Sequence, residues 1–278
     1  MIKGMILLLF LFLPIRLLAC PVGHWYLGDD YPSDYRFQIL HDDPIRSPIE
    51  EDDFLKVTQA VHQSYKRDFL KQKIQVDINH DWKKPYFTAF AQKEGEKHFS
   101  INFWGGLARI PGMTNNSLAL VACHEIGHFW GGEPMSHLDH ISWSSTEGQS
   151  DYFATGTCLK RYLKQTTADN DHLHIQTQAT AYTLCRVQYS DDLDFSVCLK
   201  SIEAAKGFAK VLNYLSENDL RLDITTPSSQ VVFRTLYNSY PPQQCRLDTF
   251  VNGSLCPEEE YPCQIGLGQR PACWYAPH

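Results

Sequence analysis

His124-Glu125-Ile126-Gly127-His128, followed after residues 129–146 by Glu147-Gly148-Gln149-Ser150-Asp151, is the stretch on which the fold turns. If the first segment is helical, His124 and His128 lie one turn apart on one face, and both imidazoles can reach a single Zn²⁺ at about 2.0–2.1 Å. Glu125 then sits roughly 100° around the helix from His124, beside the metal rather than on it, where it can polarise a water. Glu147 is the expected third protein ligand, leaving a fourth position open as catalytic sites do. Asp151, one turn after Glu147, can accept the other N–H of a ligand histidine and fix its tautomer.

Each residue also has a plainer reading. A His-x-x-x-His pair can be two satisfied histidines on one helix face. Ser144-x-x-Glu147 is a capping box, so Glu147 could serve only backbone donors at a helix start. Asp151 could be a first-turn carboxylate favoured by the helix dipole. Against these stands Leu118-Ala119-Leu120-Val121-Ala122-Cys123, which runs apolar into the motif. A helix entering that way buries its charged and polar side chains, and a metal satisfies them together.

The first residues point to export. Lys3 opens a short apolar run from Met5 to Leu13, too short to span a bilayer, and Leu17-Leu18-Ala19-Cys20 follows. Residues 1–19 read as a signal peptide. Leu-Leu-Ala-Cys resembles a bacterial lipobox, which would lipidate Cys20 as the mature N-terminus; ordinary cleavage, with Cys20 left for a disulfide, is the alternative. Nine cysteines fit an exported chain better than a reduced cytosolic one. Parity does not choose between a lipidated Cys20 and a bridged Cys20 with Cys123 free, and connectivity is not readable from sequence. At least one bridge is expected among Cys245, Cys256, Cys263 and Cys273. The net charge of −7 becomes more negative once Lys3 and Arg16 leave with the signal, which argues against nucleic acid or anionic lipid as partner.

Residues 20–46 read as an extended lead-in, 47–240 as one domain, and 241–278 as a Cys-rich C-terminal segment. Ser47-Pro48-Ile49-Glu50 predicts a helix start, and Phe54, Val57, Val61, Tyr65 and Phe69 recur with helical spacing. Alternation over 74–78, 86–90 and 99–103 predicts three short strands in an antiparallel sheet. The His-bearing helix is expected from about Ser117 to Trp130, stopping at Gly131-Gly132. Further helices are expected over 147–164, 175–188, 193–215 and 229–238, the last ending at Pro241-Pro242. The class is α+β.

This order, with HExxH and then Glu-x-x-x-Asp, resembles the minimal core of the gluzincin metallopeptidases over about residues 48–165. The gap between the motifs is similar to the thermolysin type and the zinc aminopeptidases. Glu147 to Ala154 is similar to the Glu-x-x-Ala-Asp-x-x-Ala of the CAAX-prenyl and heat-shock membrane peptidases. The resemblance implies a zincin-like fold, zinc held by His124, His128 and Glu147, and Glu125 as general base. Asp151 would be the outer partner of a histidine. It also implies an edge strand that pairs with peptide substrate. The candidate is Phe99 to Gly105, with Asn102, Phe103, Trp104 and Gly105 as substrate-binding residues; Phe103 and Trp104 read equally well as core aromatics. The Gly-x-Met-Glu-Asn run of zinc aminopeptidases is missing, which favours an endopeptidase. His172, His174, Tyr182, Arg186 and Arg234 are candidate oxyanion donors, whereas His137 and His140 read as loop residues. The expected function is an exported zinc endopeptidase acting on peptide or protein, touching the membrane only through a Cys20 anchor. The alternative is a non-catalytic envelope lipoprotein that uses the scaffold for binding, and an intact Glu125 favours the enzyme.

Overall fold

The computed structural model describes residues 17–18, 38–166, 178–215 and 221–277. Helix α1 (Glu51–Gln72) buries Phe54, Val57, Val61, Tyr65 and Phe69, the face its periodicity predicts. Burying each such side chain is worth about 1.5–3 kcal/mol. The helix begins later than expected. Glu50 is the N-cap and shares a capping box with Asp53, while Ser47 donates its hydroxyl to the Ala108 carbonyl at 2.6 Å. Lys73 turns left-handed (φ 56°) and ends the helix.

The sheet comprises β1 (Leu17–Leu18), β2 (Gln75–Asp81), β3 (Ala89–Gly95) and β4 (His98–Trp104), in the order β1-β3-β4-β2. It is mixed rather than antiparallel. β4 pairs antiparallel with β3 and parallel with β2, because residues 82–88 carry the chain across before β3 begins. β3 also starts at Ala89, late in the predicted 86–90 stretch, of which Tyr86 makes an isolated bridge to Gln38.

A short helix α2 (Gly105–Arg109) leads to α3 (Asn115–Trp130), buried from Ser117 through His128. Thr114 caps α3 by accepting from the Ser117 N–H at 3.1 Å, and Gly132, at φ 77°, turns the chain away after it. Then come α4 (Glu147–Phe153), a π turn (Ala154–Cys158), α5 (Leu159–Thr166), α6 (Ala179–Gln188) and α7 (Asp192–Leu215). Residues 229–238 form no helix. Instead α8 (Gln243–Leu255) follows Pro242, since proline precedes helices as readily as it stops them.

Four disulfides join Cys123 to Cys158, Cys185 to Cys198, Cys245 to Cys273 and Cys256 to Cys263. Cys123 is therefore bridged, against the reading that leaves it free. The bridges use every cysteine among the described residues, and Cys20 lies outside them. Four bridges suit an oxidising, extracytoplasmic compartment. No helix among the described residues is long and apolar enough to cross a membrane.

Candidate metal centre

The two motifs meet where α3 and α4 pack closest. Gly127 makes that approach possible, since a Cβ there would stand 2.9 Å from the Ser150 Cα. His124 Nε2 lies 3.2 Å from Glu147 Oε2, and His128 Nε2 lies 3.9 Å from Glu147 Oε1. One nitrogen from each histidine and one carboxylate oxygen fall within 4.8 Å of one another, and all three residues are buried. This group could hold a metal ion.

The opposite ring nitrogens are occupied from outside. His124 Nδ1 lies 2.7 Å from Asp151 Oδ1. His128 Nδ1 faces three oxygens: the Ser144 hydroxyl at 3.0 Å, the Ser150 hydroxyl at 3.1 Å and the Ser145 carbonyl at 3.3 Å. A ring N–H directed to these acceptors leaves each Nε2 with its lone pair toward Glu147, the tautomer a metal requires. Burial pushes the His128 imidazole down to about 4, so it is neutral at ordinary pH. Its Nε2 is buried with no hydrogen-bond partner, a cost that a metal would remove. The donor set of two imidazoles and one carboxylate suits zinc.

Glu147 is not the acid of a capping box. Thr146 is the N-cap, accepting from the Gln149 N–H, and Glu147 is the first helical residue with its carboxylate turned inward. Burial works against its charge, but the facing His128 and His124 more than offset that and hold it below the usual range. Asp151 is fully buried and depends on a residue far along the chain. Burial alone would raise its carboxyl; Arg246 of α8 grips it with two bonds of 2.7 Å, Nε to Oδ2 and Nη2 to Oδ1, and holds it low. Asp151 is thus a link from Arg246 to His124 and not a helix-dipole acid.

Glu125 is 1% exposed and lines a small cavity together with His124 and Arg246. The strand expected to pair with substrate, β4, is not an edge strand. β4 has both edges paired, so it cannot add a peptide strand. Asn102 accepts from the Asn79 side-chain amide at 3.1 Å, and Phe103 is a core aromatic against Phe54 and His80. Trp104 packs on Tyr86 and Phe90, and Gly105 is pressed against the Trp82 carbonyl. Among the expected oxyanion donors, Tyr182 and Arg234 are exposed, and Arg186 pairs with Asp192. His172 and His174 lie outside the described residues. His137 stacks on Tyr237 and His140 is exposed, both in the loop after α3.

Arg246, Ser144 and Ser150 are the site residues that sequence reasoning missed. A signal for Arg246 exists: Leu247, Phe250, Val251 and Leu255 recur with helical spacing around it, and an arginine within such a helix calls for a buried acid. No family model, curated protein or solved structure matches the chain.

Proposed function

We propose that this protein is an exported zinc-dependent peptidase, most simply an endopeptidase. One observation carries the reading. Two buried histidines, each held by its outer ring nitrogen, turn their Nε2 atoms toward a buried glutamate, with a second glutamate one residue along. A purely structural site has no use for Glu125. When bound, zinc would supply Lewis acidity and bring a water's pKa toward about 7. Glu125 takes the proton of the attacking water on its carboxylate and returns it to the leaving nitrogen. Asp151, charged by virtue of Arg246, keeps the proton on His124 Nδ1. Ser144, Ser145 and Ser150 do the same for His128 with uncharged oxygens.

β3 takes the part first expected of β4. It packs beside α3, its Ala89 lines the cavity at Glu125, and among the described residues its outer edge pairs with Leu17–Leu18 at Lys93 and Gln92, short of Ala89 to Ala91. An extended peptide can pair with such an edge. The reading extends to a lipid on Cys20, the one cysteine left over by the bridges. An intact mass with no acyl increment would remove the anchor and leave a freely exported enzyme.

The test of the function is metal analysis of the purified protein together with digestion of a peptide library. Close to one zinc per chain and cleavage by wild type are expected, with the metal kept and cleavage lost in Glu125→Gln. Equal peptide processing by both proteins, or zinc binding without cleavage of any peptide, would favour the non-catalytic binding module.

A further inference from the structure

We infer that the peptides this site cleaves carry a small aliphatic side chain, alanine or valine, beside the scissile bond. The inference rests on the peptidase reading and names its substrate class. It comes from the cavity that touches Glu125 and His124. Phe87, Ala89, Leu107, Phe208 and Leu212 make its wall opposite α3, which contributes Leu120 and Val121. A side chain entering it leaves water for an almost wholly apolar surface, so charged and amide side chains are excluded by desolvation.

Size is the sharper filter. The cavity measures about 30 Å³. A cavity of about 150 Å³ takes a benzene ring, so this one has room for one or two methyl-sized groups. The methyl of alanine or the isopropyl of valine fits. The isobutyl of leucine and the benzyl of phenylalanine do not unless the wall gives way.

The wall is not built to yield. Leu107 is 1% exposed, packed in the core behind the cavity. Phe208 is held edge-on by Phe250 at 5.9 Å, with the Arg246 guanidinium 5.6 Å from its ring. Arg246 is itself fixed by Asp151. Displacing Phe208 would therefore disturb the chain of contacts that holds His124. Overfilling a packed core costs about 1–3 kcal/mol even without such a link. Specificity and metal geometry share one wall. Phe208 and Leu212, from α7, are the residues that set the size limit.

The experiment is digestion of a hexapeptide library by the zinc-loaded wild type, with cleavage sites read by mass spectrometry. In parallel, individual library peptides are titrated onto Glu125→Gln, which reports binding without turnover. Bonds flanked by alanine or valine are expected to be cut at least about tenfold faster than those flanked by leucine or phenylalanine, the smallest discrimination a missing methylene gives. Binding to Glu125→Gln should follow the same ranking. Leu212→Ala, in the α7 wall of the cavity, is expected to raise cleavage next to leucine. Ala89→Val is expected to suppress cleavage next to valine more than next to alanine, and it serves as the second variant should Leu212→Ala not fold. Equal cleavage beside small and large side chains would overturn the inference and leave the peptidase reading standing. No cleavage of any peptide would overturn both.

Discussion

The helix pair α3 and α4 and the C-terminal segment from α8 to Trp274 both build the candidate metal centre, yet they contribute in opposite ways. The helix pair supplies the two imidazoles and the carboxylate that could hold a metal, from residues close together in the chain. The C-terminal segment supplies none, but it sets the position and charge of what the helices present. Arg246 holds Asp151, and Asp151 holds His124. Cys245, next to Arg246, is bridged to Cys273, and Trp274 lies flat against Gly148, where a Cβ would come within 2.3 Å of its ring. Tyr261 reaches the same helix by accepting from the Gln149 amide at 3.1 Å. The segment that reads as a tail is a clamp on α4. Ligands can be contributed locally, because one helical turn spaces them; holding a buried carboxylate charged takes a cation delivered from another part of the fold.

Variants on the two sides should separate these roles. The largest effect belongs to the helix pair. Glu125→Gln is expected to keep the metal and the folded state while lowering hydrolysis on the order of 10²–10⁴-fold, measured as turnover of a cleavable peptide by protein of verified metal content.

Next comes the clamp. Arg246→Ala leaves Asp151 buried beside His124 without its cation, and losing one partner of a buried pair costs about 3–5 kcal/mol. Chemical denaturation of the metal-free protein gives the stability change. Metal affinity, by competition with a chelator, should fall about 10–100-fold, as for other outer partners of ligands. An unchanged affinity would confine the segment to a bracing role. Removing the Cys245–Cys273 bridge by a double alanine substitution should cost about 2–4 kcal/mol. It should weaken metal binding less than Arg246→Ala does, since the bridge braces Arg246 and the Trp274 contact with α4 but leaves the pair of Arg246 and Asp151 in place.

Gly148→Ala sets the two regions against each other at one contact. The added methyl meets the Trp274 ring, and overpacking of this kind costs about 1–3 kcal/mol. A thermal melt should show it, and Trp274→Ala in the same protein should abolish the difference between glycine and alanine.

The last test reads a slope. Lys160 on α5 donates to the Cys256 carbonyl and to the Tyr189 hydroxyl, tying α5 to the C-terminal segment. Burial lowers its amine from 10.5 to about 7, with Glu258, Lys164 and Asp194 nearby. Between about 7 and 10.5 the unfolded chain binds the proton and the folded protein does not. The unfolded state thus holds more protons in that window, and this group makes stability rise with pH. Wild type should gain stability relative to Lys160→Met as pH increases from 7 to 10, in denaturation curves taken at each pH. A constant difference would mean that the amine keeps its proton in the fold.

Much of the centre is legible in the residues alone. His124, His128 and Glu147 converge as their spacing requires, and Asp151 holds His124. The buried face of α1 follows its periodicity, because a repeat of 3.6 residues maps one-dimensional spacing directly onto a helix surface. Other features are not written in local spacing. Whether β4 is an edge or an interior strand depends on β2 joining it in parallel from across residues 82–88, a pairing between distant segments. The bridge from Cys123 to Cys158 depends on the π turn that brings Cys158 to α3. Arg246 reaches Asp151 only because α8 packs both on α4 and against α7, which itself lies on α3. The sequence by itself determined the buried face of α1, the approach of His124, His128 and Glu147, and the oxidising compartment, since these follow from spacing and composition. The tertiary structure decided that β4 is interior, what holds Asp151 charged and which residues wall the cavity beside Glu125, because each is a distance between residues that the chain order does not bring together.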